Sequence, residues 1–329
     1  MSTIGRNVKN SDYESYAIPG FIASGDAELP FNKERGFNFN YAEVAMSSTV
    51  DPYFDAFAIF HLHPDQLEIE EAFIRTRALP LGLRVKAGKF RSAFGRINEK
   101  HQHSWHFDSQ PIIYKALLGP DCISDAGVQL QWVAPTDSYM MLGGEAFQGG
   151  NDRSFGDVEK NNLYVGYLKS SIDIGDDFSV LGGVSLAHGK HEGHSSDIYG
   201  VDLTFRQELG GYSALTWQSE FLQRDMDINS KQAGLYSELI YKYDNHYSTG
   251  IRYDAITKND TDLSKYPNIN TKNLDRYTAM VEYHPFPMSR LRLSYAHDRT
   301  KVIAGKRKDN DQITLSINIA TGAHGAHNY

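Results

Sequence analysis

Strict alternation of apolar and polar residues, repeated along most of the chain, limits its fold more than any other feature. In 313–319, Ile313, Leu315, Ile317 and Ile319 alternate with Thr314, Ser316 and Asn318. A two-residue period belongs to a strand with two different faces, since a helix would repeat every three to four residues. The pattern recurs in 290–298, where Leu291, Leu293 and Tyr295 oppose Arg290, Arg292 and Ser294. It recurs in 276–284, where Tyr277, Ala279, Val281 and Tyr283 oppose Arg276, Thr278, Met280 and Glu282. Segments 248–255, 199–206, 215–224 and 128–132 repeat it, with Ile251, Val201, Leu203, Phe205, Leu215 and Trp217 on the apolar side. Thr249 and Ser219 are the small polar exceptions on that side. The other face carries charges in mid-strand.

A soluble β-sandwich, for instance a binding module, also alternates. The connections separate the two cases. Short ones (50–52, 78–82, 135–137, 174–176, 209–211, 244–246, 285–288) alternate with long ones (92–124, 149–160, 189–194, 257–273, 299–308), with 63–65 as the main exception. Short turns at one end and long loops at the other are the rhythm of a transmembrane, antiparallel, up-and-down β-barrel of the outer-membrane type. The segments give sixteen strands: 18–26, 36–49, 53–62, 66–77, 82–91, 125–133, 138–148, 161–172, 177–188, 195–208, 212–225, 232–243, 247–257, 274–284, 289–298 and 310–321. Fourteen is the fallback, because 18–26 alternates poorly. Residues 1–17 read as an N-terminal periplasmic segment, 18–321 as the barrel and 322–329 as a tail. In 66–77, Leu67 and Ile69 share a face that Glu71 then interrupts, so a bulge is expected near Glu70.

Composition agrees. No run approaches the ~18 apolar residues that a membrane helix requires. Basic residues number 33 and acidic residues 41, a net charge of −8, which argues against nucleic acid as a partner. A single cysteine, Cys122, excludes an internal disulfide framework and a thiolate metal cluster. Tyrosine, at 20, outnumbers phenylalanine, at 17, as suits a surface that meets both water and lipid. Residues 1–12 hold no apolar core of a secretory signal, so the chain either stays in the cytoplasm or is a processed form with an added start methionine.

Residues 87–98 (AGKFRSAFGRIN), 103–111 (HSWHFDSQP), 116–120 (ALLGP) and 125–130 (DAGVQL) resemble the phosphate-selective porin (O/P type) superfamily. Within it they are most similar to a proteobacterial outer-membrane branch labelled zinc-regulated receptors. The resemblance covers about 36–150; beyond that only the strand rhythm continues. It implies a homotrimeric porin of the bacterial outer membrane, in contact with lipid and lipopolysaccharide, whose third extracellular loop folds into the lumen. The full basic ladder of the phosphate-selective members is not evident here. The expected cargo is therefore small hydrophilic solutes, with a weak preference for anions. A receptor barrel of ~22 strands with a plug does not fit into 329 residues.

Several residues are candidates for the passage. Arg84 and Lys86 alternate with Leu83, Val85 and Ala87 and should face the lumen, with Lys89, Arg91 and Arg96 leading on into the long loop 92–124. Arg252, Arg276, Arg290 and Arg292 lie on inward faces, together with acids such as Glu220 and Asp254. Trp105 would narrow the channel if the loop folds inward. Cations on a narrow wall favour a partly dehydrated anion. Acids interspersed among them would instead orient water without strong preference. Histidines offer a second chemistry: His101, His103 and His106 in the long loop, and His188, His191 and His194 in another, could each share a zinc or other divalent ion. That is the alternative of a metal-capturing surface receptor; His61 and His63 lie near a third loop. No nucleophile elbow, phosphate loop or dinucleotide motif is present, and no enzymatic activity is expected.

Overall fold

The computed structural model describes residues 2–4, 16–18, 20–21, 36–151, 153–156, 163–260, 274–303 and 306–321. In chain order the strands are β1 (Ser2–Ile4), β2 (Tyr16–Ala17), β3 (Gly36–Phe37), β4 (Ala42–Thr49), β5 (Phe54–Leu62), β6 (Leu67–Thr76) and β7 (Leu83–Arg91). After helix α1 (Ile112–Leu118) come β8 (Ser124–Val133), β9 (Tyr139–Phe147), β10 (Leu163–Ile174), β11 (Phe178–His191), β12 (His194–Glu208), β13 (Ala214–Met226) and β14 (Ser230–Lys242). The chain continues with β15 (Tyr247–Asn259), β16 (Leu274–Tyr283), β17 (Ser289–Asp298), β18 (Val302–Ile303), β19 (Lys306–Arg307) and β20 (Asn310–Ile319). From β4 to β17 each strand pairs antiparallel with the next, and β17 pairs with β20. This is an up-and-down barrel with a loop folded into its lumen, as the alternation and the resemblance require.

Closure differs from expectation. The strand rhythm places the first strand at 18–26, with 1–17 outside the wall. Instead β1 fills the seam, pairing Ser2 with Leu315 and Phe37, and Thr3 with Thr314 and Gly36. Among the described residues, fifteen long strands and the two short ones, β1 and β3, make up this seventeen-stranded sheet. Of 18–26, the described residues Ile18, Gly20 and Phe21 turn inside the barrel. Ile18 packs on Ile112, and the Gln232 amide donates to the Gly20 carbonyl at 2.6 Å. β2 joins β18 and β19 in a separate small sheet. The physical reason is that 18–26 lacks alternation, whereas Ser2-Thr3-Ile4 needs only three residues in register to satisfy two strand edges. Residues 322–329, including His324, His327 and Tyr329, lie outside the described residues.

The register turns sequence alternation into two solvents. Val201, Ile251 and Ile317 are half or more exposed on the outside, while Asp202, Arg252 and Ser316 beside them are buried inside. Aromatic residues mark both rims of this apolar band. Tyr241, Tyr243, Tyr247 and Tyr283 stand outward near the short turns, and Tyr199, Tyr253, Tyr277 and Tyr295 near the long loops. Amphipathic rings settle where apolar surface meets water. Two short turns are closed by aspartates: Asp51 accepts from the Tyr53 and Phe54 amides, and Asp244 from the His246 and Tyr247 amides. The His246 and Tyr247 donors hold the Asp244 carboxyl below its ordinary range. Among the described residues no helix is long and apolar enough to cross a membrane.

The expected bulge is present. Ile59 pairs with Glu71 and Phe60 with Ile69, leaving Glu70 as the extra residue. An extra residue lets neighbouring side chains point the same way. Glu70 and Glu71 are therefore both buried on the lumen side.

The apolar core lies inside the barrel, not between layers. Loop 92–123 folds inward and buries Phe94, Ile113, Tyr114, Leu117 and Ile123 against Phe90, Phe147, Val165, Ile198, Leu222 and Tyr236 of the wall. Some inward positions on β8 to β14 are accordingly apolar.

Candidate functional site: the inward loop and the cavity beside it

The loop is held around most of the lumen by side chains whose inward direction the strand period dictates. At its start, Ser92 Oγ and the Ala93 amide both donate to the Glu145 carboxylate. The Gly95 amide donates to Ser185 Oγ at 3.0 Å, and the Arg96 guanidinium donates to Asp202 at 2.6 and 2.9 Å. Glu220 accepts from the Arg96 amide and the Tyr114 hydroxyl. Gly95 has φ +61°, and a Cβ there would fall 2.0 Å from Glu220 Oε1, so glycine alone permits this approach.

Further round, arginines hold the loop's carbonyls. Arg252 donates to the Ser109 carbonyl and hydroxyl, Arg276 to the Gln110 carbonyl, Arg290 to the His103 carbonyl and Arg292 to the Trp105 carbonyl. Carboxylates balance them. Asp254 bridges Arg252 and Arg276 and also accepts the Ile112 amide. Arg292, almost fully buried, pairs with Glu282 at 2.6 Å and Asp108 at 3.1 Å. Asp108 also accepts from Ser294 and Ser316.

Between the loop and the wall of β16, β17, β20, β5 and β6 lies a cavity of about 410 Å³. It extends from Glu68, Thr300 and Lys301 near the long-loop end to Thr278, Ser294 and Thr314 in mid-wall. Its lining includes the cations Arg91, Lys115, Arg276 and Lys301, and the carboxylates Glu68, Glu70, Asp108, Asp121 and Asp298. His61, His63 and His101 line one side. Charges of both signs face this one space, between the loop and the wall.

The sequence candidates fall into three groups. Arg252, Arg276, Arg290, Arg292, Arg96, Glu220 and Asp254 do face inward, but they hold the loop; of these, only Arg276 also lines the cavity. Trp105 lines it too, and donates its indole N–H to the Lys100 carbonyl. Arg91 lines it while donating to Glu70 at 2.5 Å and to the Asn98 carbonyl at 2.9 Å. Lys86 is buried over the Phe73 and Phe90 rings, 5.0 Å from each, and 3.9 Å from Glu99. Arg84, on the same side of β7, is exposed. Lys89 departs from expectation: its ammonium donates to the Ile69 carbonyl of β6 and is not in the cavity lining.

The histidine groupings are corrected as well. His188 is exposed and pairs with Asp197 at 2.6 Å, and His194 pairs with Asp227 at 3.0 Å. His191, an odd number of residues from His188 on the same strand, faces the opposite side, so the three share no site among the described residues. His106 crosses to Glu238 on β14, away from His101 and His103. Those two meet Glu43 on β4 instead, at 3.6 and 3.3 Å. Sequence reasoning missed Glu43 and Asp108. Glu43 had a signal, since it is cross-strand from His61 on the inward face. Asp108 is an isolated loop acid with none.

Cys122, within the inward loop, is buried, and its sulfur accepts from the Gln110 side-chain amide at 3.0 Å. Burial pushes its thiol up to about 11.

The barrel and its inward loop define the porin class of fold. The chain is similar in structure to an anion-selective porin from Comamonas acidovorans, with a TM-score of 0.58, 10% identity and coverage of 85% of this chain and 88% of that one. Salmonella typhi OmpF gives a TM-score of 0.58 at 11% identity over 87% and 91%. The trimer form of OmpT from Vibrio cholerae gives 0.54 at 13% identity over 85% and 90%. No family model matches the sequence. An uncharacterized protein of Aquifex aeolicus (strain VF5) is 37% identical over 366 aligned residues, spanning 99% of this chain and 78% of the relative, and the chain belongs to that protein's family.

Proposed function

We propose that the protein is a porin of the bacterial outer membrane that lets small hydrophilic solutes diffuse through the space beside its inward loop. The observation that carries this reading is the charge-lined cavity of about 410 Å³ inside a barrel with an apolar, aromatic-rimmed exterior. An exterior of that kind suits lipid and lipopolysaccharide. A homotrimer is part of the proposal, supported by the trimer form of a structural neighbour. Kinship with the phosphate-selective branch rests on the sequence resemblance over about 36–150. Anion preference draws support from the arginines of β15, β16 and β17, but each is tied to a carboxylate or a loop carbonyl. The discrimination we propose is therefore weak, and its test is exposed Arg84, which stands on the lumen side of β7 outside the cavity lining.

Reversal potentials in asymmetric KCl test this. The wild type should conduct with slight anion preference. Arg84→Glu combined with Lys86→Glu should move the potential toward cations. A purified barrel that inserts into bilayers and carries no current would refute the porin reading. An unmoved potential in the double variant would refute the anion preference alone.

A further inference from the structure

Beyond solute passage, we propose that Glu43, His61 and His101 form a binding site for a divalent transition-metal ion that joins the inward loop to the barrel wall. Glu43 and His61 are cross-strand partners on β4 and β5, both facing the lumen, and His101 comes from the loop. Their ligating atoms all lie within 4.8 Å of one another. Glu43 Oε2 stands 3.2 Å from His61 Nε2 and 3.6 Å from His101 Nδ1. Ligands at ~2.0 to 2.1 Å around a tetrahedral ion stand roughly 3.3 Å apart; the two Glu43 distances are near that spacing, and the two imidazole nitrogens, within 4.8 Å of each other, close on the ion by side-chain rotation. His103 Nδ1, 3.3 Å from the same Glu43 oxygen, is the nearest donor for a fourth position.

The outer groups match as well. A ligating imidazole usually donates its other nitrogen to a carboxylate, which sets the tautomer and ring direction. His101 Nε2 lies 2.9 Å from Glu71, and His61 Nδ1 lies 3.8 Å from Glu70. The bulge at Glu70 is what places two successive carboxylates on the lumen side to do this. The Tyr41 ring stacks on His61 at 4.1 Å and limits its rotation. His61 and His101 also line the cavity, which provides an entry path. Imidazole and carboxylate donors without thiolate suit zinc, nickel or copper more than calcium or magnesium.

Zinc titrated calorimetrically into the metal-stripped, folded barrel near neutral pH tests the site. Wild-type protein should bind. Glu43→Gln and His61→Ala should each weaken binding at least tenfold while keeping the gel mobility of a folded barrel. Glu71→Gln should weaken it by roughly 10- to 100-fold through His101. His188→Ala should change nothing. A second measurement needs no substitution: zinc should protect His61 and His101, and not His188 or His194, from carbethoxylation mapped by mass spectrometry. Absence of binding, binding indifferent to Glu43→Gln and His61→Ala, or protection confined to His188–His194 would each overturn the proposal. The titration does not involve conduction, so its failure leaves the porin reading standing.

Discussion

Arg292 shows how individual charges are used in this lumen. It is buried, and its guanidinium meets Glu282, Asp108 and the Trp105 carbonyl together. Removing one partner of a buried pair leaves the others desolvated without compensation, which typically costs about 3 to 5 kcal/mol. Arg292→Ala should lower the denaturant midpoint of the folded barrel and produce noisier, larger single-channel currents as the loop loosens. Gly95→Ala tests the closest approach of loop to wall. Its Cβ would meet Glu220, which is itself held by Tyr114, at a positive φ, so overpacking and backbone strain should cost roughly 1 to 3 kcal/mol. Gly166→Ala, with no atom within 4 Å of its Cβ and ordinary φ, should be close to neutral in the same unfolding assay. Cys122 should resist maleimide at neutral pH until the barrel unfolds, because its thiol is buried and its pKa lies well above that pH.

Each strand presents an apolar face outward and a polar face to the lumen, and period two makes the assignment testable. Leu203 on β12 faces outward, while Thr204, one residue on, faces inward. A cation at the bilayer midplane costs ~2 to 4 kcal/mol, whereas an inward one joins a hydrated or charge-balanced interior. Leu203→Arg should reduce the yield of folded barrel in detergent, read as the heat-modifiable band, and Thr204→Arg should leave it near wild type. On β6 the same logic explains why the break at Glu71 was legible. A carboxylate interrupting an apolar face forces the chain either to bury it toward lipid or to insert a residue, and the extra residue is Glu70. What could not be read was where the two carboxylates would go. Their partners, Arg91 and His101, lie across the start of a loop whose path strand spacing does not specify.

At the scale of the whole molecule, the loop fills much of the barrel interior and bounds a cavity of about 410 Å³ along one side of it. Deleting 101–114 removes the Trp105, Asp108, Ser109 and Gln110 contacts to Arg252, Arg276 and Arg292. Single-channel conductance should rise, and a deletion variant with unchanged conductance would place the current path elsewhere.

The alternation by itself determined the all-β class, the antiparallel order, the inward and outward faces and the bulge, because a strand's two faces are set by local backbone geometry and by the solvents they meet. It also located the long loop, whose length no tight turn accommodates. The tertiary structure decided which inward charges remain available. Arginines that look like pore lining become loop anchors once Asp108, Asp254 and Glu282 come within hydrogen-bond distance. It likewise decided that His101 leaves His106 for Glu43, and that Ser2–Ile4 pairs with both β20 and β3 at the seam. These outcomes depend on contacts between residues far apart in sequence. Their energies come from desolvation and pairing inside a closed lumen, a space that exists only after the barrel has formed.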